Sequence, residues 1–157
     1  MSMKLNFGAA GWQDAHTKAY LESDGAEGQL VDFTPGGGFD NTPCLILKTT
    51  GRKSGEAKLL PLIYGEDGGK FVIVASKGGA PKHPAWFLNL EANPEVEFQV
   101  GAKKYRGEAR SVDGAEHDRL YKFMEGVFPP YTAYQARTER KIPVVVLEPK
   151  AEIERLA

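Results

Sequence analysis

From Cys44 onward the chain repeats one pattern: short apolar runs of strand length, separated by turns that carry glycine. The first three runs are Cys44-Leu45-Ile46-Leu47, Leu59-Leu60-Pro61-Leu62-Ile63-Tyr64 and Phe71-Val72-Ile73-Val74-Ala75, and Glu66-Asp67-Gly68-Gly69 reads as a hairpin turn between the last two. Residues 96–100 and 104–111 read as a second hairpin around Gly101, and residues 142–147 as a last buried strand. Strands that follow one another at hairpin distance pair antiparallel, and a sheet built that way hides its edges most fully by curling closed. The expectation is an α+β, mainly β protein, its sheet closed into a small barrel with helices at the ends.

Three helices are expected around that sheet. Trp12, Ala15, Ala19 and Tyr20 recur at helical spacing, with Gln13, Asp14, Thr17 and Lys18 off the face. A brief second helix starts near Pro84, puts Trp86, Asn89 and Leu90 on one side, and is closed by Asn93-Pro94. Asp113 and Glu116 have capping-box spacing, and Leu120, Phe123, Met124, Val127 and Phe128 then trace one face until Pro129-Pro130 stops it. Residues 22–41 follow neither period and read as a loop. All 157 residues are assigned to one domain, with 1–40 as an N-terminal helix and loop and 41–149 as the barrel.

Composition excludes more than it identifies. The 20 Lys+Arg and 21 Asp+Glu leave a net charge of −1, so the chain lacks the global positive field of a non-specific nucleic-acid binder. Its single cysteine, Cys44, makes no internal disulfide. Met1-Ser2-Met3-Lys4 has no apolar signal core, and no stretch nears the roughly 18 apolar residues of a membrane span, so a cytoplasmic protein is expected. The N-terminal helix, which carries Trp12, is expected either to cover a pocket or to touch a bilayer surface. His16, His83 and His117 have no metal-ligand spacing, and each reads as a surface or cap residue. Neither Gly-x-Gly-x-x-Gly nor Gly-x₄-Gly-Lys-Ser/Thr occurs, and Ser54 stands one place late for a Gly-x-Ser-x-Gly elbow.

Positive charge is concentrated in two glycine-bearing turns. Residues 48–58 hold Lys48, Arg52, Lys53 and Lys58 against Glu56 alone, around Gly51 and Gly55. The second, Ser76-Lys77-Gly78-Gly79-Ala80-Pro81-Lys82-His83-Pro84, leaves a strand and enters a helix. Glycine lets backbone approach an anion, and turn N–H groups and a helix start both favour negative charge. These turns suit a phosphorylated or carboxylated ligand, and the Trp86 that follows suits a flat ring attached to that charged tail. Phe128-Pro129-Pro130-Tyr131-Thr132-Ala133-Tyr134-Gln135 adds two tyrosines after a proline-broken helix end, where a hydroxyl could orient a carbonyl.

Taken in order, these motifs resemble the deazaflavin-dependent nitroreductase family. The residues that carry the likeness are Thr50-Gly51-Arg52-Lys53-Ser54-Gly55, Pro61-Leu62-Ile63-Tyr64-Gly65, Val74-Ala75-Ser76-Lys77-Gly78-Gly79-Ala80-Pro81, His83-Pro84-Ala85-Trp86-Phe87-Leu88-Asn89-Leu90, Tyr134-Gln135-Ala136-Arg137-Thr138 and Ile142-Pro143-Val144-Val145-Val146. The resemblance implies a split β-barrel of the pyridoxamine-phosphate-oxidase-like, FMN-binding type, using the 8-hydroxy-5-deazaflavin coenzyme F420. By matching positions, Arg52, Lys53, Ser54 and Lys58 would meet its phosphate and polyglutamate tail. Pro61, Leu62 and Ile63, Val74, Ala75, Ser76, Lys77 and Gly78, and Ala85, Trp86 and Asn89, with Tyr131, would enclose the rest. The implied reaction is hydride delivery to a quinone, nitroaromatic or activated enone, with Tyr131, Tyr134 and Ser76 stabilising charge on the acceptor oxygen. The family's nitroreductase has tyrosines where this chain has Ile63 and Phe128, which implies a more apolar pocket here. The alternatives are an FMN-binding split barrel and a non-catalytic binder of an apolar ligand such as a fatty acid.

Overall fold

A computed structural model describes residues 2–156. Its hub is strand β3 (Thr42–Thr50), which pairs antiparallel along one side with β4 (Ala57–Ile63) and along the other with β7 (Glu95–Val100). The ladder continues antiparallel through β8 (Lys103–Val112), β9 (Val144–Ile153), β6 (Lys70–Val74) and β5 (Gly65–Asp67). Gly68 and Gly69, both at positive φ (60° and 82°), make the β5–β6 turn, as the hairpin signature predicts. No ladder joins β4 back to β6 among the described residues, so the barrel is split along that seam. Pro61, in the middle of β4, lacks an N–H, and it stands where β4 has its one neighbour in β3.

The apolar runs are continuous because both sheet faces are covered. Leu45, Leu47, Phe71, Ile73, Phe98, Val145 and Leu147 form one core with Trp86, Phe87 and Leu90 of α2 (Ala85–Ala92). Cys44, Val72, Val74, Val144 and Val146 form a second with Leu120, Tyr121 and Met124 of α3 (Gly114–Val127) and Tyr131 of α4 (Pro130–Ala136). Alternate residues of one strand thus serve different cores, the period-2 consequence of the pleat.

Several local expectations need correction. Residues 22–41 are more than a loop: they contain β2 (Leu30–Asp32), which pairs antiparallel with β3 and parallel with β1 (Met3–Lys4), and a 3₁₀ turn at Thr34–Gly36. A three-residue strand is too short to show a period. Asp113 occupies the N-cap of α3 without a side-chain cap, and the Glu116 carboxylate, which a capping box would turn back to the Asp113 N–H, instead forms a two-bond pair with Arg110 at 2.9 and 3.0 Å. Phe123 lies partly exposed off the buried face, and the last strand starts at Val144, after the buried Ile142. Pro129-Pro130 does stop α3, but Pro130, which gives up no helical hydrogen bond at a first turn, also opens α4. No helix among the described residues is long and apolar enough to cross a membrane.

Helix α1 (Trp12–Glu22) is fastened to the sheet by Tyr20, which is fully buried. Its hydroxyl donates to the Cys44 carbonyl (2.9 Å) and accepts from the Gly101 N–H (2.8 Å), bridging β3 and the β7–β8 turn. Removing that oxygen strands a buried donor and a buried acceptor together. Tyr20→Phe is expected to lower unfolding free energy by about 1–3 kcal/mol. Denaturant melts of the two proteins check this, with the midpoint falling and the slope unchanged.

Candidate functional site

The seam between β4 and β6 opens into two adjoining cavities that share Trp86 as a common wall. One, about 390 Å³, is bordered mainly by apolar residues of β4, β6 and α4, and the N-terminal segment closes it with Phe7, Trp12 and His16. Trp12 stands edge-on to Phe7 with ring centroids 5.1 Å apart, so the aromatic stripe of α1 is turned toward the pocket. The second cavity, about 400 Å³, is bordered by Arg52, Lys53, Ser54 and Lys58 together with Ala85 and Asn89. An apolar room thus adjoins a cationic one.

The cationic turn is built by Asn89. Its Oδ1 accepts from the backbone N–H of Arg52 (3.1 Å) while its Nδ2 donates to Thr49 Oγ1 (3.4 Å), so this nearly buried amide is spent on holding the turn to α2. Gly55, at φ +72°, reverses the chain there, and its N–H bonds the Gly51 carbonyl at 2.9 Å. One of the four cations expected to act together is engaged elsewhere: Lys48 pairs with Glu97 at 3.2 Å away from the cavity. Lys58 borders the cavity, with part of its charge offset by Glu56 at 3.5 Å. Arg52 and Lys53 carry most of the positive charge that remains for a ligand.

The second glycine turn, a 3₁₀ segment at Lys77–Gly79, holds three successive residues at positive φ: Lys77 (46°), Gly78 (64°) and Gly79 (82°). Gly79 has to be glycine on a second count, since a Cβ there would stand 2.6 Å from the Tyr134 carbonyl oxygen. The turn that carries Lys77 therefore touches the helix that carries the tyrosines. What holds it is Arg140, a residue without a local sequence signature. Its guanidinium donates to the carbonyls of Ser76 (2.7 Å), Ala80 (2.7 Å) and Ala75 (3.2 Å) and meets His83 Nδ1 at 3.0 Å. Gln135 steadies the same segment, with its amide bonded to the Arg140 carbonyl (2.8 Å) and the Ile142 N–H (2.9 Å).

Of the residues expected in the site, Pro61, Leu62, Ile63, Val74, Ser76, Lys77, Gly78, Trp86, Tyr131 and Tyr134 all border the apolar cavity, beside the departures Ile63 and Phe128. Ala75 does not: it is fully buried in the core on the other face of β6, and only its carbonyl takes part, through Arg140. The histidines read as surface or cap residues, yet His16 and His117 are buried. His117 Nε2 donates to the Ile142 carbonyl at 2.8 Å, tying α3 to the segment ahead of β9. The hydroxyls of Ser76, Tyr131 and Tyr134 have no protein partner among the described residues. Burial pushes the Tyr131 phenol far above its ordinary range, so it is a neutral O–H donor at any physiological pH.

An antiparallel barrel left open along one seam, with a cationic turn beside an apolar aromatic slot, defines a split-barrel protein whose site suits a cofactor with a charged tail. The profile of the F420H(2)-dependent quinone reductase family matches residues 12–149. An F420H(2)-dependent quinone reductase of Mycobacterium tuberculosis is 41% identical over 135 residues, covering 84% of this chain and 86% of that one. A solved F420-H2 dependent reductase is 44% identical and superimposes with a TM-score of 0.64, covering 68% of this chain and 94% of the other. A pyridoxamine 5′-phosphate oxidase-type chain of Listeria innocua, at 11% identity and a TM-score of 0.51 over 70% of this chain and 86% of its own, shares the fold. The chain belongs to the F420H(2)-dependent quinone reductase family, and so is an oxidoreductase with coenzyme F420 as its cofactor.

The clamp on the glycine turn generates a prediction. Arg140→Ala leaves three backbone carbonyls without their donor, and Arg140→Lys, a single point charge, cannot serve all of them. Amide exchange at residues 76–80 is expected to quicken in both variants, most in Arg140→Ala, with stability lower by about 2–3 kcal/mol. Hydrogen-exchange mass spectrometry and thermal melts check it.

Proposed function

We propose that the chain binds reduced coenzyme F420 across both cavities and passes a hydride to an electron-poor acceptor held in the apolar one, where quinones, nitroaromatics and activated enones are the acceptor class. The observation that carries the reading is the shared wall: Trp86 borders both rooms, so one ligand can lay a flat ring on one side and run a polyanionic tail onto Arg52 and Lys53 on the other. FMN, whose single phosphate is compact, would leave most of that cationic room unused. The donor set thus fits the deazaflavin better than the flavin alternative.

In this reading each residue has a role set by its chemistry. Arg52 and Lys53, with Ser54 and Lys58, hold the phosphate and carboxylates, while Asn89 keeps the turn in register. Pro61, Leu62, Ile63 and Val74 exclude water from the ring, and Gly78 and Lys77 close over it. When bound and reduced, the coenzyme supplies the hydride. Negative charge then develops on the acceptor oxygen, and the neutral phenols of Tyr131 and Tyr134, with the Ser76 hydroxyl, donate hydrogen bonds to it. Ile63 and Phe128 leave the acceptor few other polar contacts, which favours planar quinones over heavily hydrated substrates.

Two measurements test this. F420 titration by fluorescence should show tight binding that weakens with rising salt, and Arg52→Ala or Lys53→Ala should each lose about tenfold. Variants that bind as well as the parent would remove the cationic turn from the site. In steady-state assays with a soluble quinone, Tyr131→Phe and Tyr134→Phe are expected to lower kcat/KM by roughly 10²-fold in at least one case. Unchanged kcat/KM in both would end the tyrosine assignment.

A further inference from the structure

One residue bordering the apolar cavity carries a buried polar atom that no group among the described residues satisfies. His16, on α1, is 1% exposed and borders the cavity beside Phe7, Trp12, Phe33 and Cys44. Its Nε2 lies 2.8 Å from the Gly28 carbonyl, and a carbonyl only accepts, so Nε2 carries the proton and Nδ1 presents a bare lone pair. Gly28 packs against the ring edge that contains Nε2: a Cβ there would stand 2.9 Å from Cδ2 and 3.1 Å from Nε2. Nδ1 is the ring vertex opposite that edge and has no hydrogen-bond partner. Burial lowers the pKa of the imidazole from its ordinary 6.5, which keeps the ring neutral at pH 7 and the lone pair available.

An unmade hydrogen bond at a buried acceptor costs about 1–3 kcal/mol, and a ligand bringing a donor would recover it. We propose that His16 Nδ1 recognises a hydroxyl group on an aromatic ligand in the acceptor cavity, so that the site holds a phenol or hydroquinone more tightly than the matching ether or quinone. A quinone offers only carbonyl lone pairs, which oppose that of Nδ1, whereas its two-electron reduced form offers an O–H. The histidine therefore discriminates between the two members of the couple, on the side away from the coenzyme's charged tail. The inference rests on reading the apolar cavity as the acceptor site.

The test needs no coenzyme and no turnover. Trp12 and Trp86 are the two tryptophans of the chain and both border the cavity, so intrinsic fluorescence reports its filling. Titration with 1-naphthol and with 1-methoxynaphthalene, which has the same ring system without a donor, should give about tenfold tighter binding of the naphthol, one hydrogen bond's worth. In His16→Phe the two should bind alike. A measurement on the unaltered protein stands beside the variant: the ¹⁵N resonance of His16 Nδ1 should move on adding 1-naphthol and stay put with the ether. Equal binding by the parent, a preference kept in His16→Phe, or a resonance unmoved by naphthol each overturns the assignment. If both probes bind alike while F420-dependent quinone reduction proceeds, the histidine role alone is wrong. If neither probe fills the cavity, the acceptor-site reading falls with it.

Discussion

The missing ladder between β4 and β6 is the constraint on which the rest of this molecule depends. Every other long strand is paired on both sides, so backbone N–H and C=O groups are used up in the sheet and cannot serve a ligand. At the seam they are not, and side chains of both flanking strands face a gap wide enough for a ring. Keeping the gap open requires that neither wall collapse into it. Pro61 stiffens β4 where it has a neighbour on one side only, and the Arg140 guanidinium pins the segment leaving β6 through three carbonyls.

Local charge, and not net charge, makes the seam useful. The chain is nearly neutral, and many of its cations are matched: Lys48 with Glu97, Lys104 with Asp24, Arg110 with Glu116, Arg119 with Asp67. The exposed ones, Arg110 with Glu116 and Arg119 with Asp67, add little stability. The effect of the pairing is to leave the Arg52-Lys53 turn as a local positive spot, felt only within about 10 Å at ordinary salt. In the proposed reading an anionic tail is held there while the ring it carries lies in a slot whose polar side chains are hydroxyls, one imidazole and, at the exposed rim, Lys77.

What the sequence makes legible is what depends on neighbours in the chain. The β3, β4, β6 and β7–β8 runs, the Gly68-Gly69 turn, the two cationic turns and the slot residues of β4, β6, α2 and α4 follow from local pattern or ordered motifs, whereas Phe7, His16 and Phe33, brought to the slot by the N-terminal segment, do not. What it hides is long-range pairing. Arg140 acts on carbonyls some 60 positions earlier, and no spacing rule connects them. Tyr20 looks like one more apolar position on α1, although its hydroxyl bridges to Gly101, 81 residues away. Glu116 has capping-box spacing, yet it faces a better partner in Arg110 across the β8–α3 corner. Lys48 counts toward the basic turn in sequence and belongs to Glu97 in space.

The apolar slot explains why neutral donors suffice for this chemistry. A phenol in water loses most of a hydrogen bond's value to competing solvent, but in a dry, low-dielectric pocket the same donor acts at close to full strength on a developing anion. Burial that raises the Tyr131 pKa keeps its proton in place, so the hydroxyl is available as the donor that the proposed reaction requires. A lysine in that position would stabilise the charge more, but would be costly to bury without a counter-ion. Lys77 avoids this cost by sitting exposed at the rim, on a turn held in the left-handed region. In the proposed reading the arrangement separates two electrostatic tasks: fixed charge at the cationic turn for holding the coenzyme, and weak neutral dipoles in the apolar slot, where charge would appear only transiently.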